Sequence, residues 1–181
     1  GFICMALAVI GIAYEALRQK DSGLIKSVLQ AVDYQTLLLL TGLFVVIAGM
    51  THAGVIDAIA EFFVRAGGNS PALMYVMIVG VSVLLSAFID NIPYVATMLP
   101  VVTGISRLMG TDPTLFCFGL LIGATLGGNI TPVGASANIA GIGILQKEGY
   151  QVPTKDFLRI GIPFTLVAAV TGAAVVWFIW S

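Results

Sequence analysis

Apolar residues fall into five blocks along the chain, divided by short polar stretches. The first runs from Phe2 to Leu17 and gives way to a polar stretch from Arg18 to Asp33. Leu37 to Met50 forms the second, which continues past Gly54 into Val55 to Val64. That continuation sets Asp57, Glu61 and Arg65 among Ile56, Ile59, Ala60 and Phe63, the spacing of an amphipathic helix suited to the membrane interface. A turn is predicted over Gly67, Gly68, Asn69, Ser70 and Pro71. The third block, Ala72 to Leu108, is about twice the length of one span and is broken by Asp90, Asn91, Ile92 and Pro93. The fourth, Thr114 to Leu145, is also overlong and is broken between Gly127 and Asn138. The fifth, Phe157 to Trp180, is an ordinary span whose Trp177 and Trp180 suit the headgroup boundary.

The two interruptions carry the most information. Pro93 lacks an N–H and disfavours helix at Ile92, which predicts a break at 90–93. Glycines and Pro132 act the same way in the fourth block. Backbone groups freed by a break cannot face lipid, so broken helices survive only in protein or along a cavity. Paired broken segments point to a transporter's binding site.

Composition changes this picture in one respect: it fixes the class. Of 181 residues, 59% are apolar and 9% charged, against about 25% charged in soluble domains. The expectation is an all-α, polytopic membrane protein, multi-pass in the plasma (inner) membrane. Net charge is −1 and the basic residues are scattered, so no nucleic-acid surface is expected. Cys4 and Cys117 lie in apolar segments without ligand spacing and read as core residues. The chain opens within a helix at Gly1 without an initiator Met, which suggests one portion of a longer protein.

Charge bias orders the segments. If block three enters and leaves on one side and block four crosses once, Arg18, Lys20, Lys26, Lys147, Lys155 and Arg159 share a side, opposite Arg65 and Arg107. A second crossing by block four would split the eight charges three to five instead of six to two. The positive-inside rule prefers the first threading. It does not separate a re-entrant hairpin from two full crossings. The expected layout is scaffold helices with an interfacial helix over 1–66, a hairpin over 67–112 and a discontinuous helix over 113–147. A loop and the last span follow over 148–181.

Asp90 is the one acid deep inside an apolar block, and an ionisable group there costs roughly 2.5–3.5 kcal/mol on insertion scales. It reads as a ligand for Na⁺ or H⁺, or as a cap for the helix after Pro93. Asn91, Asn129, Thr131, Ser136 and Asn138 can offer oxygens to a cation or hydrogen bonds to an oxyanion, or can satisfy freed backbone groups. Pro93, Thr97 and Gly128 complete the candidate ion-binding set. Gly119, Gly123 and Gly127 form a small-residue stripe for close helix packing. The glycines at 127, 128 and 134 lack the lysine of a phosphate loop, and His52 reads as a helix terminus. An intramembrane aspartyl protease would need two carboxylates where only Asp90 is deep, so no enzyme and no catalytic residue is expected.

The run Ser86-Ala87-Phe88-Ile89-Asp90-Asn91-Ile92-Pro93-Tyr94-Val95-Ala96-Thr97-Met98-Leu99-Pro100 resembles the second hairpin motif of the ArsB/NhaD branch of the ion transporter superfamily. Gly127-Gly128-Asn129-Ile130-Thr131-Pro132-Val133-Gly134-Ala135-Ser136-Ala137-Asn138 resembles its unwound-helix motif, and Lys147 to Pro163 the loop before its last helix. The resemblance covers essentially the whole chain and extends to citrate transporter-like proteins. It implies one of two inverted repeats, with a re-entrant hairpin and an unwound helix. The partners it implies are the N-terminal half of the same transporter and a second copy in a homodimer. It also implies elevator-type movement, no cofactor, and a coupling ion that is Na⁺ and/or H⁺. Sodium-coupled dicarboxylate relatives carry Ser-Asn-Thr at the tip, where this chain has Asp90-Asn91-Ile92-Pro93. An acidic tip favours Na⁺/H⁺ antiport, with an anion or oxyanion permease (arsenite or carboxylate) as the alternative.

Overall fold

The computed structural model describes residues 2–19, 34–68 and 70–181, all of them helix or short connection, with no strand among them. The chain divides into two compact units, 1–42 and 43–181. The first holds α1 (Phe2–Gln19) and the start of α2 (Tyr34–His52). From position 20 onward, the polar stretch expected up to Asp33 lies outside the described residues, and so does Asn69.

In the second unit α2 ends at His52, which is exposed, and Gly54 turns the chain at φ 73°. The next helix, α3 (Val55–Gly67), leaves at 70° to the helix before it. Its periodicity does what the sequence predicts: Ile56, Ala60, Phe63 and Gly67 are buried while Asp57, Glu61 and Arg65 are exposed. Glu61 and Arg65 form an exposed i,i+4 ion pair at 3.3 Å, an arrangement worth about 0.3–0.5 kcal/mol.

Ser70 caps α4 (Pro71–Ser86), accepting a hydrogen bond from Leu73 N with Pro71 in the first turn. Four helices follow: α5 (Asn91–Met109), α6 (Thr114–Gly127), α7 (Ser136–Lys147) and α8 (Thr154–Trp180). Only α5 and α8, among the described residues, are long and apolar enough to cross a membrane alone. The hairpin arms α4 and α5 meet each other little; α4 lies against α6, and α5 lies against α3 and α6. Met74, Ile78, Val101, Val102, Ile105, Phe116 and Leu120 are fully enclosed between them. α8 covers α6 and touches α4, with Tyr75 donating to Ala173 O at 3.0 Å and its ring 5.5 Å from that of Trp177.

The glycine stripe explains how close α4 and α6 come. A Cβ on Gly119 would stand 2.7 Å from the Tyr75 ring, one on Gly123 2.4 Å from Ser82 Cβ, and one on Gly127 2.5 Å from Val83 O. At Gly123 and Gly127 the obstacles include α4 backbone, so no larger side chain fits there without moving α4, whereas at Gly119 the Tyr75 ring would have to give. Cys117, on the same helix, is a half-buried free thiol beside the core; the side chain of Cys4 is outside the described residues.

One boundary differs from the sequence expectation. The hairpin turn falls at 87–90 rather than 90–93, and helix resumes at Asn91. Tyr94 N already donates to Asp90 O at 3.2 Å. Pro93 therefore sits in the first turn of α5, where backbone N–H groups have no intrahelical partner and a missing one costs nothing.

Candidate functional site

The two breaks, 87–90 and 128–135, pack against each other, and most of the candidate residues gather where they touch. Thr131, buried, donates its hydroxyl to Ala87 O in the hairpin turn. Gly134 comes so near that an added Cβ would lie 2.8 Å from Ala87 O and 2.6 Å from Gly128 O. Asn138, in the first turn of α7, donates to Gly128 O at 2.9 Å and to Thr131 O at 3.1 Å. Carbonyls released by unwinding thus find partners on the neighbouring segment, as a low-dielectric setting demands.

Asp90 occupies the N-cap position of α5, yet its carboxylate makes no capping bond there. It reaches the other break, accepting from Ser136 N at 3.1 Å and from the Ser136 hydroxyl. Ser136 is the first residue of α7, so the hairpin acid caps the helix that restarts after the second break. The expected capping role is real but serves a different helix. Asp90 is half-buried and Ser136 exposed, which leaves the carboxylate reachable from outside.

Asn91 stands beside Asp90 at the start of α5. Its side-chain amide lies 3.0 Å from Ser86 Oγ and over Gly128, where an added Cβ would meet it at 2.8 Å. Ser86, fully buried at the end of α4, also donates to Ala124 O of α6. One turn earlier on α4, Tyr94 OH donates to buried Ser82 Oγ at 3.1 Å. Neither Ser82 nor Ser86 stands in the candidate ion-binding set; their signal is two hydroxyls four residues apart on one face of an otherwise apolar helix.

The structure does not bring every candidate together. Thr97 spends its proton on Pro93 O within its own helix at 2.8 Å, and Pro93 serves only the first turn of α5. The side chain of Asn129 makes no hydrogen bond among the described residues, while its carbonyl faces α8, where a Cβ on Gly161 would approach to 2.5 Å. Thr165 of α8 donates to Leu126 O at 3.3 Å and braces the end of α6. No group of three or more His, Cys, Asp or Glu side chains forms among the described residues, so oxygen partners for a cation at Asp90 would be hydroxyls, amides and carbonyls. The apolar groove of about 640 Å³ between α4 and α8, lined by Tyr75, Val79, Val83, Leu166, Val170 and Trp177, offers nothing to a hydrophilic cargo.

All of 1–181 matches the family described as Citrate transporter. The chain belongs to that family. An uncharacterized transporter of Mycobacterium bovis is 38% identical over 160 residues, 86% of this chain and 37% of that protein. The 46 kDa membrane protein of Mycobacterium leprae is 35% identical over 154 residues, 82% of this chain and 35% of that protein. P protein of Mus musculus is 36% identical over 156 residues, 80% of this chain and 18% of that protein. The chain thus spans little more than a third of the mycobacterial relatives. No solved structure matches significantly. Family, relatives and apolar helices agree on a multi-pass membrane protein, and the resemblance read from the two motifs stands.

Proposed function

We propose that this chain is the C-terminal half of a secondary transporter that exchanges Na⁺ for H⁺ across the plasma (inner) membrane. It would work with an N-terminal half, as one protomer of a homodimer, by elevator-type alternating access. The observation that carries this reading is the position of Asp90: a lone carboxylate between two broken helices, bonded to the restart of the second. Asn91, next to Asp90 in the chain, and the carbonyls of the second break are the groups that would supply further oxygens.

A second reading has its own support. The family description names citrate, which favours a carboxylate as cargo and leaves Asp90 as the proton carrier that drives it. Against it, the N–H of Ser136, the natural anion donor at the head of α7, is already taken by Asp90.

Full-length protein in proteoliposomes separates the two. Radiosodium uptake driven by a proton gradient, lost in Asp90→Asn, is the expected result. Citrate uptake without sodium flux would replace the antiporter with the carboxylate permease.

A further inference from the structure

The hydroxyl of Ser86 faces two acceptors but owns one proton. It lies against Ala124 O, and 3.0 Å away on its other side is the end of the Asn91 amide placed as Oδ1. Both atoms cannot receive the same hydrogen. A backbone carbonyl can only accept, so Ala124 O holds the Ser86 proton. The amide must then present its N–H₂ group to the lone pair of Ser86 Oγ, since the two ends of an amide are distinguished by their partners. The other end makes no hydrogen bond among the described residues, and it becomes Oδ1. Ser86 is fully buried, Asn91 half-buried, and the amide lies against Gly128, where a side chain would displace it.

We propose that Ser86 is a positioning residue: anchored on Ala124 O, it fixes the Asn91 amide with its N–H₂ inward and its carbonyl oxygen free for the transported cation. A free amide has two orientations, and one of them sets N–H donors against a positive charge. The relay from α6 through Ser86 removes that orientation. It therefore acts on affinity and leaves the rate of the loaded carrier alone. The assignment rests on the cation reading of the site given above.

Sodium–proton exchange by the full-length transporter, resolved into KM and kcat, tests it. Ser86→Ala is expected to raise the KM for sodium roughly tenfold with kcat within about twofold, the scale of one lost orienting bond. Thr165→Val removes an equally buried hydroxyl from another α6 carbonyl, Leu126 O, and is expected to leave KM unchanged. In an Asn91→Ala background, Ser86→Ala should add nothing to KM. Ser86→Cys keeps the volume and weakens the donor, and replaces the alanine variant if that one fails to reach the membrane. An unchanged KM in Ser86→Ala, equal rises in Ser86→Ala and Thr165→Val, or additivity with Asn91→Ala would each overturn the proposal. Absence of sodium exchange in the wild type is a different result: it removes the cation reading, and the ion-facing role with it.

Discussion

α6 and α7 are the two halves of one broken helix, and they are held in opposite ways. α6 is wedged against α4 through Gly119, Gly123 and Gly127, with Leu120 and Ala124 fully buried. α7 has no buried residue and, within its unit, packs against no other helix. What ties α7 down is polar: Asp90 on the Ser136 N–H and hydroxyl, and Asn138 on the carbonyls of Gly128 and Thr131. Both halves are apolar and glycine-bearing in sequence, so apolar character alone does not reveal which of them is clamped. The clamped half is fixed by shape, the other by a few hydrogen bonds around the candidate site.

Gly127→Ala breaks the clamped half most severely. Its new Cβ would meet the Val83 backbone at 2.5 to 3.0 Å, so the helices must part. A loss of about 3 kcal/mol is expected, visible as a lower midpoint in thermal unfolding of the detergent-solubilised transporter. Asn138→Ala strikes the polar tether instead. It leaves two carbonyls without their side-chain donor and is expected to cost about 1–2 kcal/mol. Hydrogen exchange should report it as roughly tenfold faster opening of α7 with α6 unaffected. Gly141→Ala sharpens the contrast, because a Cβ there meets nothing within 4 Å. The expected change is a gain of roughly 0.5–1 kcal/mol in the same melting assay. A loss would mean that another part of the transporter packs on that face.

The smallest effect lies before α6, where Asp112 Oδ1 accepts from Thr114 N at 2.8 Å. Hydrogen bonds from the Thr114 side chain and backbone hold its carboxyl below the ordinary range. A depressed folded-state value means stability that is present above the unfolded pKa and lost as pH falls through the folded one. Asp112→Ala should therefore melt slightly below wild type at neutral pH, and the gap should close in acid, beneath the normal carboxylate range.

Much of this architecture is legible in the chain. Block lengths reveal the helices, the glycine spacing of α6 reveals its packing face, and the polar cluster at 128–138 reveals the second break. The first break is legible only in part. Residues 87–90 contain neither Gly nor Pro, so nothing within them marks where the turn begins. Thr131 bonding to Ala87 O and Gly134 pressing on the same carbonyl are contacts 44 or more positions away. Pro93 stands just beyond the break: the first turn of α5 tolerates it, and its ring bars the preceding helix from running on through Ile89. The same remoteness hides the Asp90–Ser136 pairing: Asp90 reads as a cap for its own helix, and only the fold turns its carboxylate to the head of α7.

The bond between Asp90 and Ser136 would also tie occupancy of the proposed site to movement. Both Ser136 donors lie on Asp90 Oδ2, so a proton or ion taking that oxygen would compete with the head of α7 for it. Linkage would make that relation run both ways: whatever weakened the hold on α7 would strengthen the carboxylate's hold on its ligand by an equal free energy. Loading the site and releasing the helix would then be two readings of a single equilibrium.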